Sequence, residues 1–254
     1  MSGIHLRHWP GDEDRPGLAL HCMMASGSYW GPVAQALGGR LDLRGFDMPG
    51  HGRSDPWTPA EGDPDFHTAV TRIAASFIQR PLDIMGHSIG ATVALRIAVA
   101  APEAVRSLTL VEPVLFAAAP SPEQDARDAE MAAMLERGDI EGAARSFLSV
   151  WGGPQPDALP DPIRDQIALV ADTGDTLRND AARILRDGGL ESIDAPVMIV
   201  TGNDSPTVVH DIADALAARL QDVGRASVPG AGHMLPITHP DQLAGLIDVN
   251  LDRA

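Results

Sequence analysis

Apolar residues recur along the chain in two alternating rhythms. Short runs that are continuously apolar, or apolar at every second position, predict buried strands, and the runs between them with a helical period predict helices. The segments with the strand pattern are 17–22, 40–47, 81–87, 105–113, 195–202 and 224–230. Strands that alternate with helices indicate an α/β fold with a mainly parallel, doubly wound sheet that is covered on both faces.

The alternation stops in the segment 114–193, where the pattern is helical and no strand is indicated. Helices are predicted to begin near Ser121, Ile140, Asp161 and Asp175, and each ends at glycine. A structureless connection of this length is rare in a compact domain. The sequence therefore predicts a core formed by residues 1–113 and 194–254, with 114–193 inserted between two core strands as a helical cap.

The motif Gly-His-Ser-Ile-Gly at residues 86–90 lies where a predicted strand meets a predicted helix. A serine hydroxyl is a weak nucleophile, which needs a base for its proton and donors for the oxyanion that forms. A sharp turn between strand and helix would expose the Ser88 hydroxyl and direct the backbone N–H of Ile89 toward that oxyanion. The motif predicts Ser88 as a nucleophile, and its alternative role is to cap the helix.

A base is expected later in the chain than the nucleophile. Of the nine histidines, His233 is the best placed, because it lies on a glycine-rich loop after a predicted strand. The competitor is His239, which precedes Pro240 at the predicted start of the last helix. We therefore expect His233 to be the base.

A carboxylate is needed to orient the imidazole and to stabilise the imidazolium. Asp204 directly follows the predicted strand 195–202, and the order Ser88, Asp204, His233 is that of one serine-hydrolase lineage. We expect Asp204 to be the acid, with capping of the next helix as its structural alternative. Glu112, at the end of an earlier strand, is the alternative acid.

Four segments resemble, in their order, the signatures of the α/β-hydrolase-fold family. They are LALHCMMASGSYWGPVAQAL (18–37), FDMPGHGRSD (46–55), GHSIG (86–90) and TGND…GAGH (201–204 and 230–233). The resemblance spans almost the whole chain and implies a sheet of the eight-stranded type, shortened near the N-terminus, and no cofactor. It implies a second oxyanion donor at the backbone N–H of Met23. Cys22 stands where the family usually has glycine, and a buried, unreactive thiol is expected there.

The resemblance implies a carboxylesterase-like serine hydrolase that acts through an acyl-enzyme. Serine at the elbow, in place of the aspartate of dehalogenases and epoxide hydrolases, favours attack on an ester, thioester, lactone or amide, or on the carbonyl of a C–C cleavage substrate. The apolar candidate pocket residues favour a small, largely apolar ester, thioester or lactone. Candidate pocket residues are Met24, Trp30, Leu115, Phe116, Phe147, Trp151 and Met234. The alternatives are a C–C bond hydrolase with the same triad and a non-catalytic ligand-binding protein of the same fold.

Composition narrows the classes of partner. The net charge is −16, which disfavours nucleic acid and anionic membranes, and the chain contains no lysine, which excludes a pyridoxal phosphate linkage. The motifs H-E-x-x-H and G-x-G-x-x-G are absent, so no metal is expected, and the resemblance implies no cofactor. One cysteine, no apolar run long enough for a membrane span and no signal-like N-terminus predict a cytoplasmic protein. The expected partner is a small-molecule ester, and the expected state is a monomer or homodimer.

Overall fold

The computed structural model describes residues 3–152, 157, 159 and 162–254. Its strands are β1 (Leu6–Trp9), β2 (Pro16–Leu20), β3 (Asp42–Phe46), β4 (Leu82–His87), β5 (Val105–Val111), β6 (Val197–Gly202) and β7 (Val223–Val228). They form one sheet in the order β1-β3-β2-β4-β5-β6-β7, in which β1 is antiparallel to β3 and the other neighbours are parallel. The predicted mainly parallel sheet is confirmed.

The first strand was not predicted from the sequence. β1 is a short edge strand with the sequence Leu-Arg-His-Trp, and its residues are alternately exposed and partly buried. So short a run with two polar members carries almost no strand signal. Within the described residues the sheet has seven strands, one fewer than the eight-stranded type that the resemblance implies.

Helices cover both faces of the sheet. They are α1 (Gly31–Ala36), α2 (Phe66–Ala75), α3 (Ile89–Ala100), α4 (Pro122–Glu136), α5 (Ile140–Trp151), α6 (Pro162–Arg178), α7 (Thr207–Ala217), α8 (Leu235–Thr238) and α9 (Pro240–Leu251). Successive strand residues point to opposite faces. In β4, Ile84 packs into a cluster with side chains of α2, α3 and α7, whereas Met85 packs into a second cluster with α1 and α9.

The helices α4, α5 and α6, called here the inserted helices, lie between β5 and β6 in the chain and contact one another. Ser121 caps α4 as predicted, since its Oγ accepts a hydrogen bond from the Gln124 N–H at 3.3 Å. The prediction of separate helices on either side of Gly174 is wrong, because α6 continues through this residue to Arg178. An isolated glycine only weakens a helix. The predicted start at Asp161 lies outside the described residues, and the division into core and cap stays a prediction.

The carboxyl ends of the parallel strands meet at one edge of the sheet. Leu20 of β2 pairs with Gly86 of β4, which pairs with Leu110 of β5, and Val111 pairs with Val200 of β6. The loops that follow these strands therefore start side by side. Along the described part of the chain, no helix combines the length and apolar character needed to cross a bilayer.

Candidate active site

Ser88 occupies the turn between β4 and α3 in a strained backbone conformation. Its φ is 57° and its ψ is −119°, a region that side-chain-bearing residues rarely adopt, and its N–H donates to the Val111 carbonyl at 2.9 Å. A Cβ at Gly86 would lie 2.2 Å from the Gly90 carbonyl oxygen, and one at Gly90 would lie 2.4 Å from that of Leu20. The two glycines thus make this turn possible, as the motif predicts.

The three polar side chains of the site belong to different loops. His233 Nε2 lies 3.1 Å from Ser88 Oγ, and His233 Nδ1 lies 3.0 Å from Glu112 Oε2. All three residues are buried. Because a carboxylate only accepts, Nδ1 carries the proton and Nε2 is free to accept the serine proton. This is the geometry of a nucleophile, a base and an orienting acid.

Glu112 is held firmly at the end of β5. Its φ is 52°, and its N–H donates to the Val200 carbonyl at 2.9 Å. Carboxylate oxygen Oε1 accepts from the Gly202 N–H at 2.5 Å and from the Ser205 hydroxyl at 2.8 Å. With Oε2 on the imidazole of His233, this fully buried carboxylate has partners for both oxygens.

Asp204 does not contact the imidazole, so the predicted acid is corrected to the alternative one. The side chain of Asp204 is exposed, and its N–H donates to the Ala231 carbonyl at 2.8 Å. Both nitrogens of His233 already have partners, Ser88 and Glu112. Glu112 directly follows β5, and this position at a strand end is the signal that made it the alternative acid in the sequence.

His239, the competing base, lies between α8 and α9. Its Nδ1 is 2.8 Å from the Thr238 hydroxyl, and the ring is partly exposed. The imidazole that reaches the serine is that of His233.

A chain of hydrogen bonds connects the loop after β2 to the backbone of His233. The Cys22 N–H donates to the Tyr29 hydroxyl at 2.9 Å, and this hydroxyl lies 2.8 Å from His87 Nδ1. His87 Nε2 lies 2.8 Å from the carbonyl oxygen of His233, which can only accept. His87 is therefore protonated at Nε2, and the Tyr29 hydroxyl donates to Nδ1. Burial holds the pKa of His87 well below its ordinary value, so the ring is neutral.

His21 fixes the same loop from its other side. The Met48 N–H donates to His21 Nε2 at 2.8 Å, so Nδ1 carries the proton and donates to the Cys22 carbonyl at 2.7 Å. Burial, followed by the nearby His51, lowers the pKa of His21 to about 3. Burial raises the pKa of the Cys22 thiol to about 12, and the predicted buried cysteine is confirmed.

The two predicted oxyanion donors belong to residues that line the same cavity as the nucleophile. Ile89 is the first residue of α3, so its N–H has no carbonyl partner one turn earlier in the helix. Met23 lies in the loop after β2, and the next residue, Met24, has a φ of 59°. Met23 and Ile89 both line the cavity that also contains Ser88.

This cavity, called here the active-site cavity, has a volume of about 260 Å³ and lies between the core and the inserted helices. Its wall includes three of the predicted pocket residues, Phe116, Phe147 and Trp151. The Trp151 ring lies edge-on to the imidazole of His233, with centroids 4.8 Å apart and an interplanar angle of 76°. An apolar ring in this position shields the imidazole from solvent.

The other four predicted pocket residues do not line the active-site cavity. Trp30 is fully buried in the cluster that packs α1 and α9 against the sheet, and Leu115 is buried in the opposite cluster. Met24 faces a separate surface groove, and Met234 precedes α8. Nearness in sequence to a site residue misleads at these positions, because adjacent residues point in different directions.

Polar residues of the wall were missed by the sequence analysis. Gln124 and Asp128 of α4, together with Thr173 and Arg178 of α6, line the active-site cavity. The helical pattern predicted these segments but not which side of each helix faces the serine. Among the described residues, no group of three or more His, Cys, Asp or Glu side chains could hold a metal ion.

Comparisons with known proteins agree with this fold. A family profile described as alpha/beta hydrolase fold matches residues 18–240. The pimeloyl-[acyl-carrier protein] methyl ester esterase of Methylococcus capsulatus is 30% identical over 91% of this chain and 92% of its own length. Lipase LipV of Mycobacterium tuberculosis is 24% identical, over 96% of each chain.

A solved structure shares the architecture. MenH from S. aureus superposes with a TM-score of 0.70 at 19% identity, and the match covers 99% of this chain and 98% of that chain. At this level of identity the likeness concerns the fold alone.

Proposed function

The chain belongs to the alpha/beta hydrolase fold family, and from that premise we propose that it cleaves a carboxylic ester of a small, largely apolar substrate through a serine nucleophile. Relatives named as esterases and a lipase make it an esterase-like hydrolase. The proposal extends this to the triad Ser88, His233 and Glu112 and to an acyl-enzyme. A thioester or a lactone would react by the same steps.

One observation carries the proposal. The imidazole of His233 lies between Ser88 Oγ at 3.1 Å and Glu112 Oε2 at 3.0 Å, on a nucleophile whose backbone is strained. A serine that only capped α3 would accept from an N–H of the first helical turn, but the Ser88 side chain makes no cap hydrogen bond. Its hydroxyl instead has the partner that a nucleophile needs.

The first half of the reaction forms the acyl-enzyme. Ser88 Oγ bonds to the carbonyl carbon of the ester while His233 Nε2 takes the hydroxyl proton. Glu112 stabilises the imidazolium through the proton on Nδ1, and the N–H groups of Ile89 and Met23 hold the negative oxygen of the tetrahedral intermediate. The intermediate collapses, the bond to the alkoxide breaks, and His233 gives that alkoxide its proton.

The second half releases the acid. Water enters, His233 Nε2 takes one of its protons, and the resulting hydroxide attacks the acyl carbonyl at the same oxyanion position. The bond to Ser88 Oγ then breaks, and His233 returns the proton to the serine. In this scheme each charge that develops is stabilised by a fixed group of the protein, which is usually the largest source of rate enhancement in such sites.

The shape of the active-site cavity supports an ester of modest size. Phe116, Phe147 and Trp151 give it an apolar wall beside the serine, and the volume of about 260 Å³ suits a short acyl or alkyl group. The curated relative named as a pimeloyl-[acyl-carrier protein] methyl ester esterase supports a carboxylic ester as the bond that is cleaved.

A labelled fluorophosphonate tests the nucleophile directly, because it bonds only to an activated serine. We expect labelling at Ser88 by peptide mass spectrometry, and hydrolysis of p-nitrophenyl acyl esters. Ser88→Ala should lose the label and at least about 10³-fold in kcat/KM. The matched control is Ser149→Ala, an exposed serine on α5 that should keep both.

Two outcomes would contradict the proposal. A non-catalytic ligand-binding protein of this fold would leave Ser88 unlabelled and the esters intact. Ester turnover at the wild-type rate in Ser88→Ala would mean that another group performs the reaction.

A further inference from the structure

We propose that Gln124 and Thr173 form a recognition site, within the active-site cavity, for a hydroxyl group that the substrate carries away from its ester. The inference rests on the proposed ester hydrolysis and deepens it, since it names the class of ester. The site is formed by the inserted helices, whereas the reacting groups Ser88 and His233 come from the core.

Two buried polar atoms, in residues that line the cavity, have no hydrogen-bond partner. They are Gln124 Oε1 and Thr173 Oγ1, in residues that are only 5% and 3% exposed. A buried polar atom without a hydrogen bond has lost its contact with water and gained nothing in return, which destabilises the folded protein. Two such atoms, on two helices that line one cavity, destabilise the folded protein unless a ligand forms hydrogen bonds with them.

The orientation of the Gln124 amide is set by its neighbour. Its Nε2 donates to Asp128 Oδ1 at 2.9 Å, while Asp128 Oδ2 accepts from Arg178. Because both carboxylate oxygens accept, the amide nitrogen must face Asp128, and Oε1 stays available to other donors. Gln124 Oε1 therefore requires a donor from the ligand.

The Thr173 hydroxyl also lacks a hydrogen-bond partner, and it complements the Gln124 oxygen because it can donate. Within a helix a threonine hydroxyl commonly donates to the carbonyl one turn earlier, but here Oγ1 makes no such bond. The hydroxyl can donate or accept. A ligand hydroxyl can donate to Gln124 Oε1 and accept from Thr173, so one small group supplies both missing functions.

The charges around this site disfavour an anionic group. Among the described residues, Arg178 is the one arginine that lines the cavity, and its guanidinium already pairs with Asp128 and Asp175. Asp172 also lines the cavity. A carboxylate or phosphate on the substrate would meet more negative than positive charge, so a neutral group is favoured.

Matched substrates test the inference. We expect wild-type kcat/KM to favour ω-hydroxyacyl p-nitrophenyl esters over the methyl-terminated esters of equal length, by about tenfold at the best chain length in a graded series. Gln124→Leu and Thr173→Val remove the polar atoms with little change of shape, and each should reduce that ratio to near one. Met131→Leu, on the same cavity wall, is the control that should keep the ratio.

The outcomes separate this site from the catalytic one. A wild-type ratio near one at every chain length, or a ratio that survives both variants, would overturn the inference. Preference for ω-carboxylate or ω-ammonium esters would overturn the inference that the recognised group is neutral. Labelling of Ser88 by the fluorophosphonate in each variant checks that the catalytic end is folded.

If the proposed hydrolysis is not found, binding of the ligand can still be measured. Calorimetry on Ser88→Ala protein with the methyl ester of the ω-hydroxy acid should show affinity that Gln124→Leu and Thr173→Val lower by about tenfold. If the wild-type protein does not hydrolyse esters but shows this difference in affinity, the proposed hydrolysis is rejected and the recognition site is retained. Equal affinity in all forms would reject the site.

Discussion

Glu112 Oε2 lies 3.0 Å from His233 Nδ1, although 121 positions of sequence separate the two residues. Strand β5 delivers the carboxylate and the loop after β7 delivers the imidazole, so the contact exists only because the sheet places both at one edge. The carboxylate that contacts the imidazole therefore follows β5 and not β6, where Asp204 lies.

Exchange of the acid tests this assignment. Glu112→Gln presents an amide N–H to Nδ1, which favours the wrong tautomer of His233, and we expect kcat on a p-nitrophenyl ester to fall by about 10²–10⁴-fold. Asp204→Asn is the matched control and should stay within about threefold of wild type, because an exposed side chain with no contact to the imidazole contributes little. The reverse ranking would restore Asp204 as the acid.

Tyr29→Phe removes the hydroxyl that joins Cys22 to His87 and keeps the ring. The Cys22 N–H and His87 Nδ1 would each lose a buried partner, so we expect the free energy of unfolding to fall by about 1–3 kcal/mol. Because this chain of bonds ends on the His233 carbonyl, kcat should fall as well while fluorophosphonate labelling becomes slower. A variant equal to wild type in denaturant titration would show that the chain of bonds has no energetic role.

His67 makes stability dependent on acid pH. Burial, then the adjacent Arg96, lowers its pKa from 6.5 to about 4. Above pH 6.5 the ring is neutral in both states, and as the pH falls the unfolded chain binds the proton first. The free energy of unfolding should therefore decrease between pH 6.5 and about 4. His67→Gln should weaken this slope but not abolish it, because burial of His21 acts with the same sign. Urea titrations at stepped pH measure it, and parallel slopes would contradict the prediction.

Two glycine substitutions should have opposite effects. A Cβ at Gly90 would lie 2.4 Å from the Leu20 carbonyl oxygen, so Gly90→Ala must move β2 or α3 and should lose both stability and ester hydrolysis. At Gly245, exposed inside α9, the added Cβ meets nothing within 4 Å, and Gly245→Ala should stabilise by about 1 kcal/mol. Thermal unfolding compares the two, and a stable, active Gly90→Ala protein would contradict the close packing at the elbow.

The sequence predicted the sheet well because buried strands carry continuous apolar runs. The motif around Ser88 and the glycine-rich loop of His233 could be found for a similar reason, since each needs local residues of a special kind. Asp204 was expected to contact the imidazole and does not, because several strand ends carry a carboxylate and the choice between Asp204 and Glu112 depends on where two loops meet in space.

The inserted helices were harder to predict in detail. Gly174 resembles a stop signal, but packing of α6 against α4 and α5 outweighs the modest cost of one glycine in a helix. The pattern also could not show that Gln124 and Thr173 line the cavity that contains Ser88, because the direction of a helix face depends on tertiary contacts. Trp30 was expected in the pocket because it lies close in sequence to Met23, but tertiary packing places its ring in the core.

The buried thiol of Cys22 has a practical meaning for work on this protein. A pKa of about 12 leaves almost no thiolate at neutral pH, so maleimide and iodoacetamide dyes should not label Cys22 in the native protein. A cysteine engineered on the surface of α4 or α6 would then be the single reactive position. Site-selective fluorophores or spin labels could thus report distances across the mouth of the cavity without removal of the native sulfur.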